Sequence, residues 1–218
     1  MTLKIGPLAV GVRSPVTLAL GVSTVASLTG SRVDIALGAS SPAIVAGWHD
    51  RLWEHHVTVM RETIECLRSI LTGDRVEYIG RHVTSRGFRL RGARPETRIA
   101  LGAFGPGMIR VAAQHADEVV LNLASPTRVS EVRAVIDAAA GVVGRNAPRL
   151  TVWVPVALNP RAAAHAQLAA QLAVYLGPPG YGEMFSALGF DDLVRTARAG
   201  PDMSLRMTAT KTTEVRAF

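Results

Sequence analysis

The stretch Leu101-Gly102-Ala103-Phe104-Gly105-Pro106-Gly107-Met108-Ile109 decides the reading of this chain. Residues 99–103 form a short apolar run of strand character that leads into a Gly-Pro-Gly turn. Beyond the turn, Ile109, Ala112, Ala113 and Ala116 recur on one face at helical spacing. A strand that turns sharply into a helix is the signature of a βα unit. Glycine lets a backbone approach a ligand closely. The first turn of a helix carries unpaired N–H groups and partial positive charge, which together suit an anion. At this point two accounts of the tripeptide stand side by side, a phosphate-bearing ligand and a tight βα turn with no ligand.

The same rhythm extends in both directions. Residues 3–12 and 33–37 read as buried strands. Between them Ser14-Pro15 opens a helix, with serine as N-cap and proline in the first turn, and Gly30 closes it. The clearest amphipathic helix covers residues 54–71, where Val57, Met60, Ile64, Leu67 and Leu71 share a face. Cys66 lies beside that stripe and reads as a buried structural thiol. Residues 76–83 read as a small hairpin, followed by a strand-like segment at 87–90. Residues 119–121 and 150–158 are further strands. Ser125-Pro126 opens a helix to Val143, and Pro160 opens an alanine-rich one to Tyr175. Five strands, each followed by a helix, imply a parallel sheet with right-handed crossovers. The expected organisation is one domain over residues 1–202, with a hairpin insertion near 74–92 and an irregular tail at 203–218.

Composition bounds the function. A chain of 218 residues can bury about 70% of its unfolded surface. Its single cysteine allows no internal disulfide, which fits a reducing cytoplasm. The net charge of +7 comes almost wholly from arginine, since lysine occurs only at Lys4 and Lys211. The arginines read as scattered, with no basic run interleaved with aromatics, so nucleic acid is not the expected partner. Residues 16–28 mimic a signal-peptide core, but Arg13 and Pro15 interrupt the longer run and Ser27-Leu28-Thr29-Gly30-Ser31 is a poor cleavage site, and no apolar run reaches the roughly 18 residues of a membrane span. His55 and His56 are neighbours that point about 100° apart, a poor metal pair, so no metal is expected. His49 beside Trp48 reads either as a pocket residue or as a surface imidazole. Asp117 and Glu118 are expected to cap the preceding helix or to face solvent. No serine sits in a Gly-x-Ser-x-Gly elbow, which argues against hydrolase chemistry.

Several segments in order carry a family resemblance. They are Arg13-Ser14-Pro15, Ser27-Leu28-Thr29-Gly30-Ser31-Arg32, Leu37-Gly38-Ala39-Ser40-Ser41-Pro42 and Gly47-Trp48-His49. Met60-Arg61-Glu62-Thr63, Gly80-Arg81-His82 and Arg86-Gly87-Phe88-Arg89-Leu90 follow, then Gly105-Pro106-Gly107-Met108 and Leu121-Asn122-Leu123-Ala124-Ser125-Pro126. Over residues 3–199 the chain resembles the luciferase-like monooxygenase superfamily, most of all its deazaflavin (coenzyme F420)-dependent, actinobacterial branch. The resemblance implies an α/β fold, a parallel (β/α)8 TIM barrel with its site at the C-terminal strand ends. About five of the eight units are matched. The family's two units before residue 3, which often carry its acid–base residue, and its eighth unit are not.

The implied function is a flavin- or deazaflavin-dependent oxidoreductase that exchanges hydride between the reduced cofactor and a small organic substrate. The alternative is a shortened remnant or cofactor-binding protein without the acid–base residue. The implied cofactor is coenzyme F420, or FMN in its place. Its phosphate is expected at Gly105, Pro106, Gly107 and Met108, its ring toward Ala9, Val10 and Ser40, with Asn122 at the pocket mouth. No catalytic residue is assigned. The resemblance also implies a non-prolyl cis peptide at the strand end matching residues 8–10. Open barrel edges imply a homo-oligomer or a covering partner chain.

Overall fold

The structure is a computed structural model and describes residues 1–159, 161–178 and 180–199. Two compact units are present, one over Met1–Trp153 and one beginning at Val154. The first unit holds a five-stranded parallel sheet. Its strands are β1 (Thr2–Ala9), β2 (Arg32–Gly38), β5 (Ile99–Gly102), β6 (Glu118–Asn122) and β7 (Arg149–Trp153), adjacent in that order. The parallel sheet read from the sequence is thus observed, with its strands adjacent in chain order. Among the described residues nothing pairs with the outer side of β1 or β7, and the barrel is not closed.

Helices α1 (Pro15–Thr29), α2 (His56–Leu71), α3 (Pro106–His115) and α4 (Pro126–Val142) make the crossovers. Ser14 Oγ accepts the Thr17 N–H at 3.1 Å, and Gly30 ends α1 in the left-handed region (φ 62°). Successive strand residues face opposite sides. On one side Ile35, Leu37, Ile99, Leu101, Val119 and Leu121 join the helices in a single buried core. Met60, Ile64 and Leu67 of the α2 stripe sit in that core with Cys66. The other side carries a separate, smaller cluster of Ala36, Ala100 and Val120, with Trp153 packed against it.

Between α2 and β5 the chain forms an antiparallel hairpin, β3 (Arg75–Ile79) and β4 (Thr84–Arg89). The turn therefore falls at residues 80–83, the second half of the expected hairpin. Glu62 of α2 fixes it there: its buried carboxylate accepts the backbone N–H groups of Arg81, His82 and Val83 at 2.8–3.0 Å. Burial alone would raise the pKa of Glu62, but these three donors hold it below the ordinary carboxylate value.

Three expectations are corrected. Asp117 and Glu118 do not cap α3, and their carboxylates are engaged by the chain rather than left to solvent. Asp117 Oδ2 accepts the Ile99 N–H at 2.8 Å and an Arg68 Nη2–H at 2.9 Å. Glu118 is buried at the start of β6, where Lys4 Nζ donates to both its oxygens at 2.7 Å and Arg149 donates to one. Charge from β1 and from β7 compensates its burial, which no local pattern reveals. The cis peptide is prolyl and lies at Gly6–Pro7, not at residues 8–10. Here β1 bulges between Ile5 and Leu8, and Gly6 (φ 125°) has no room for a side chain, since a Cβ would lie 2.2 Å from the Ala36 carbonyl oxygen. Finally, β7 ends at Trp153, so 154–158 do not continue the strand.

The second unit is helical, with α5 (Ala162–Leu176), α6 (Tyr181–Ala187) and α7 (Asp191–Ala199) packed together. The expected single helical region at 183–199 is thus two helices, parted at Gly189 (φ 88°). Pro160 and the expected irregular tail at 203–218 lie outside the described residues.

Candidate functional site

In a parallel sheet every strand delivers its C-terminal end to the same edge, and the following loops gather there. Ala9 ends β1, Ser40 lies just past β2, residues 105–108 join β5 to α3, and Asn122 ends β6. Strand order therefore brings Ala9, Ser40, Gly105, Pro106, Gly107, Met108 and Asn122 to one edge of four adjacent strands.

Four helices start at this edge, α1 and α4 with a side-chain cap and α2 and α3 without one. Ser14 caps α1, and Ser125 Oγ caps α4 by accepting the Arg128 N–H at 3.2 Å. Gly105 begins α3 with no side-chain cap and with no acidic residue in the first turn. The ladder of α3 starts with Ile109 N–H donating to the Gly105 carbonyl at 3.0 Å, which leaves Gly107 and Met108 among the donors ahead of it. A Cβ at Gly105 would meet nothing within 4 Å, so the approach to these amides is open. The glycines are not here for a left-handed backbone: Gly105 has φ −79°, and Gly107 is not among the glycines of positive φ. Gly107 faces α2, where a Cβ would touch Val57 Cγ2 at 3.4 Å. Met108 buries its side chain in the core and offers the site only its backbone. Pro106 is exposed in the first turn. An Arg128 Nη2–H donates to the Phe104 carbonyl at 3.2 Å, tying the loop to α4.

Beside this turn lies a floor of small residues. Ala9 pairs in register with Gly38, Leu37 with Leu101, and Gly102 with Val120. Ala9, Gly38 and Gly102 therefore form one row on the side of the sheet away from the helices, next to Ala36, Ala100 and Val120. Such a row leaves space over the sheet for a flat group. Asn122 and Trp153 pair at its end. Val10 belongs elsewhere: its buried side chain joins the helix-side core. Ser40 is exposed and holds φ 68°, and Leu123 holds φ 58°, so two non-glycine residues just past strand ends adopt the left-handed region. Gly38, Gly102 and Arg128 are site residues that sequence reasoning missed. Ala36-x-Gly38 and Ala100-x-Gly102, small residues at alternate strand positions, were the available signal for the first two.

A profile of the luciferase-like monooxygenase family matches residues 2–211. The chain belongs to that family. A 5,10-methylenetetrahydromethanopterin reductase of Archaeoglobus fulgidus is 29% identical over 153 residues, which are 66% of this chain and 44% of that protein. This chain spans about half the length of the curated relatives it matches. The coenzyme F420-dependent tetrahydromethanopterin reductase of Methanopyrus kandleri superposes with a TM-score of 0.72 at 18% identity, covering 94% of this chain and 68% of that one. An F420-dependent secondary alcohol dehydrogenase, solved with an F420–acetone adduct, superposes with a TM-score of 0.74 at 13% identity, covering all of this chain and 64% of that one. These neighbours show that the sheet and its helices are part of the luciferase-like barrel fold.

Viewed as a luciferase-like chain, the edge is poor in titrating groups. Ala9, Gly38, Gly102, Asn122 and Trp153 are all neutral at the strand ends. Among the described residues, histidines enter from the loop between β2 and α2, from the start of α2 and from the β3–β4 turn. There His49 and Trp48 are both exposed, His55 stacks on His82 at 4.8 Å and His56 on Trp53 at 4.6 Å. Among the described residues no group of three or more His, Cys, Asp or Glu could hold a metal. Burial pushes the Cys66 thiol up to about 11, which leaves it inert at neutral pH.

Proposed function

We propose that this chain binds a phosphorylated flavin-type cofactor, coenzyme F420 or alternatively FMN, as part of an oxidoreductase that exchanges hydride with a small organic substrate. The uncapped, acid-free start of α3 beside the Ala9–Gly38–Gly102 floor carries the reading. A phosphate suits the open amides of Gly107 and Met108, and a ring suits the floor. When bound, the cofactor supplies the hydride chemistry. The chain's own part is to hold the phosphate, to keep the ring flat against small residues, and to fix the loop through Arg128 and the Phe104 carbonyl. Fluorescence titration of the purified chain with oxidised F420 and with FMN tests this. Saturable binding of either is expected, and no binding of either at millimolar concentration would remove the reading.

The neutral strand ends favour a second reading, a cofactor-binding chain with no acid–base residue of its own. Binding without turnover of any reduced-cofactor substrate pair would select it. Under both readings the outer sides of β1 and β7, unpaired among the described residues, invite a homo-oligomer or a covering partner chain. Sedimentation velocity checks this, and a monomer at high concentration would count against it.

A further inference from the structure

At the far end of α2 lies a cavity of about 600 Å³, lined in part by Thr72, Asp74, Arg75, Arg89, Arg91 and Gly92. Helix α2 runs 16 residues, about 24 Å, away from Val57 and the start of α3, so this cavity is remote from the strand-end site. The arginines of the chain are not as evenly spread as they read in sequence. Between residues 75 and 94 there are six, Arg75, Arg81, Arg86, Arg89, Arg91 and Arg94, against one acid, Glu77. This segment therefore supplies most of the net charge of +7.

The hairpin register sets two of these charges face to face. Arg75 of β3 pairs directly with Arg89 of β4. Like charges directly opposite destabilise an antiparallel pair. Some arginines of the chain are neutralised, Arg61 with Glu65, Arg68 with Asp117, Arg133 with Asp137 and Arg149 with Glu118. Among the described residues, Arg75, Arg89 and Arg91 have no ion pair, and neither does Glu77. Arg89 Nε–H donates to the Gly73 carbonyl at 3.0 Å, which holds its stem at the cavity. The one acid in the lining, Asp74, has Oδ2 engaged by the Thr72 hydroxyl at 3.0 Å. The lining thus sets three arginines, two of them on paired residues of the hairpin, against one carboxylate, and is net positive.

We propose that this cavity binds a small multivalent oxyanion, a molecule carrying two or more phosphate or carboxylate groups. Guanidinium forks match such groups in bidentate fashion, and a cavity of this size holds a small metabolite. The proposal is independent of the cofactor reading, because it uses none of the strand-end residues.

Calorimetric titration of the full chain at fixed ionic strength tests it, with pyrophosphate as the phosphate probe and citrate as the carboxylate probe. At least one is expected to bind with Kd below about 1 mM, and the preferred probe tells phosphate from carboxylate. Arg75→Gln and Arg91→Gln should each weaken that probe at least about fivefold, roughly 1 kcal/mol. Arg86→Gln removes the same charge from the same hairpin but outside the lining, and should change affinity less than about twofold. Because Arg75→Gln relieves a like-charge pair, it should unfold at an equal or higher temperature without ligand, so loss of binding cannot be loss of fold. Absence of binding by both probes at 10 mM, on the order of ten times the expected Kd, would overturn the proposal. So would equal weakening by all three variants, or retention on duplex DNA that all three reduce alike, since each would mark a diffuse basic surface.

Discussion

The two ends of the same parallel sheet are built on opposite principles. At the N-terminal end the carboxylates of Asp34, Asp117 and Glu118 are all engaged. Asp34 Oδ1 accepts from Arg32 Nε at 3.0 Å and from the Arg98 N–H at 3.1 Å, Asp117 accepts from Ile99 and Arg68, and Glu118 joins Lys4 to Arg149. These bonds tie all five strands and α2 together in register. The C-terminal end has small residues at Ala9, Gly38 and Gly102, an uncapped helix at Gly105, and left-handed backbone at Ser40 and Leu123. Polar satisfaction stabilises one end, and the other end keeps donors and space available. The comparison teaches where to look for function: at the end where local rules of capping and packing are left incomplete.

The largest effect that would sharpen this contrast is at the closed end. Glu118→Ala is expected to destabilise the fold by about 2 kcal/mol, less than a fully buried pair would lose, because Lys4 and Arg149 reach solvent. Denaturant unfolding measures this, and cofactor affinity should not change. Next comes the open end. Gly105→Asp places a carboxylate at the start of α3, where it caps the helix and competes with any bound anion. Affinity for F420 or FMN should fall at least tenfold, about 1.4 kcal/mol, with stability unchanged or slightly raised. A loss of stability with intact binding would break the comparison.

Ser125→Ala tests the neighbouring, capped helix. It should cost about 1 kcal/mol of stability and leave affinity nearly unchanged, the reverse of Gly105→Asp. The smallest effect concerns pH. Burial works against the ionised Glu118, but hydrogen bonds from Lys4, Arg149 and Thr151 outweigh it and hold its pKa below the ordinary value. Its stabilisation is therefore complete above about pH 4.3, the unfolded value, and is lost as pH falls through the lower folded pKa. Urea midpoints across that range should flatten in Glu118→Gln.

Much of the architecture was legible from residue patterns. Ser14-Pro15, Gly30 and Ser125-Pro126 mark helix ends because capping is a contact between near neighbours in the chain. The α2 stripe and the five strands were legible because apolar periodicity reports one buried face. The hairpin turn was misplaced because its position depends on Glu62, some twenty residues upstream. Val10 was placed with the ring-facing residues although its side chain enters the helix-side core, since a bulge at Gly6 and the turn after Ala9 reset which way it points.

By itself, then, the sequence determined the strand and helix succession, the parallel order of the sheet, the family, and the Gly-Pro-Gly start of α3 as a place of interest. All of these rest on interactions within a few residues or on burial periodicity. Only the tertiary structure decided which charges meet. Glu118 finds Lys4 from 114 residues away, Gly38 comes to lie beside Gly102, and Arg75 faces Arg89 across a hairpin. These juxtapositions are set by strand register, a property of pairs of distant segments, and a register shifted by one residue would have turned each of those side chains to the other face.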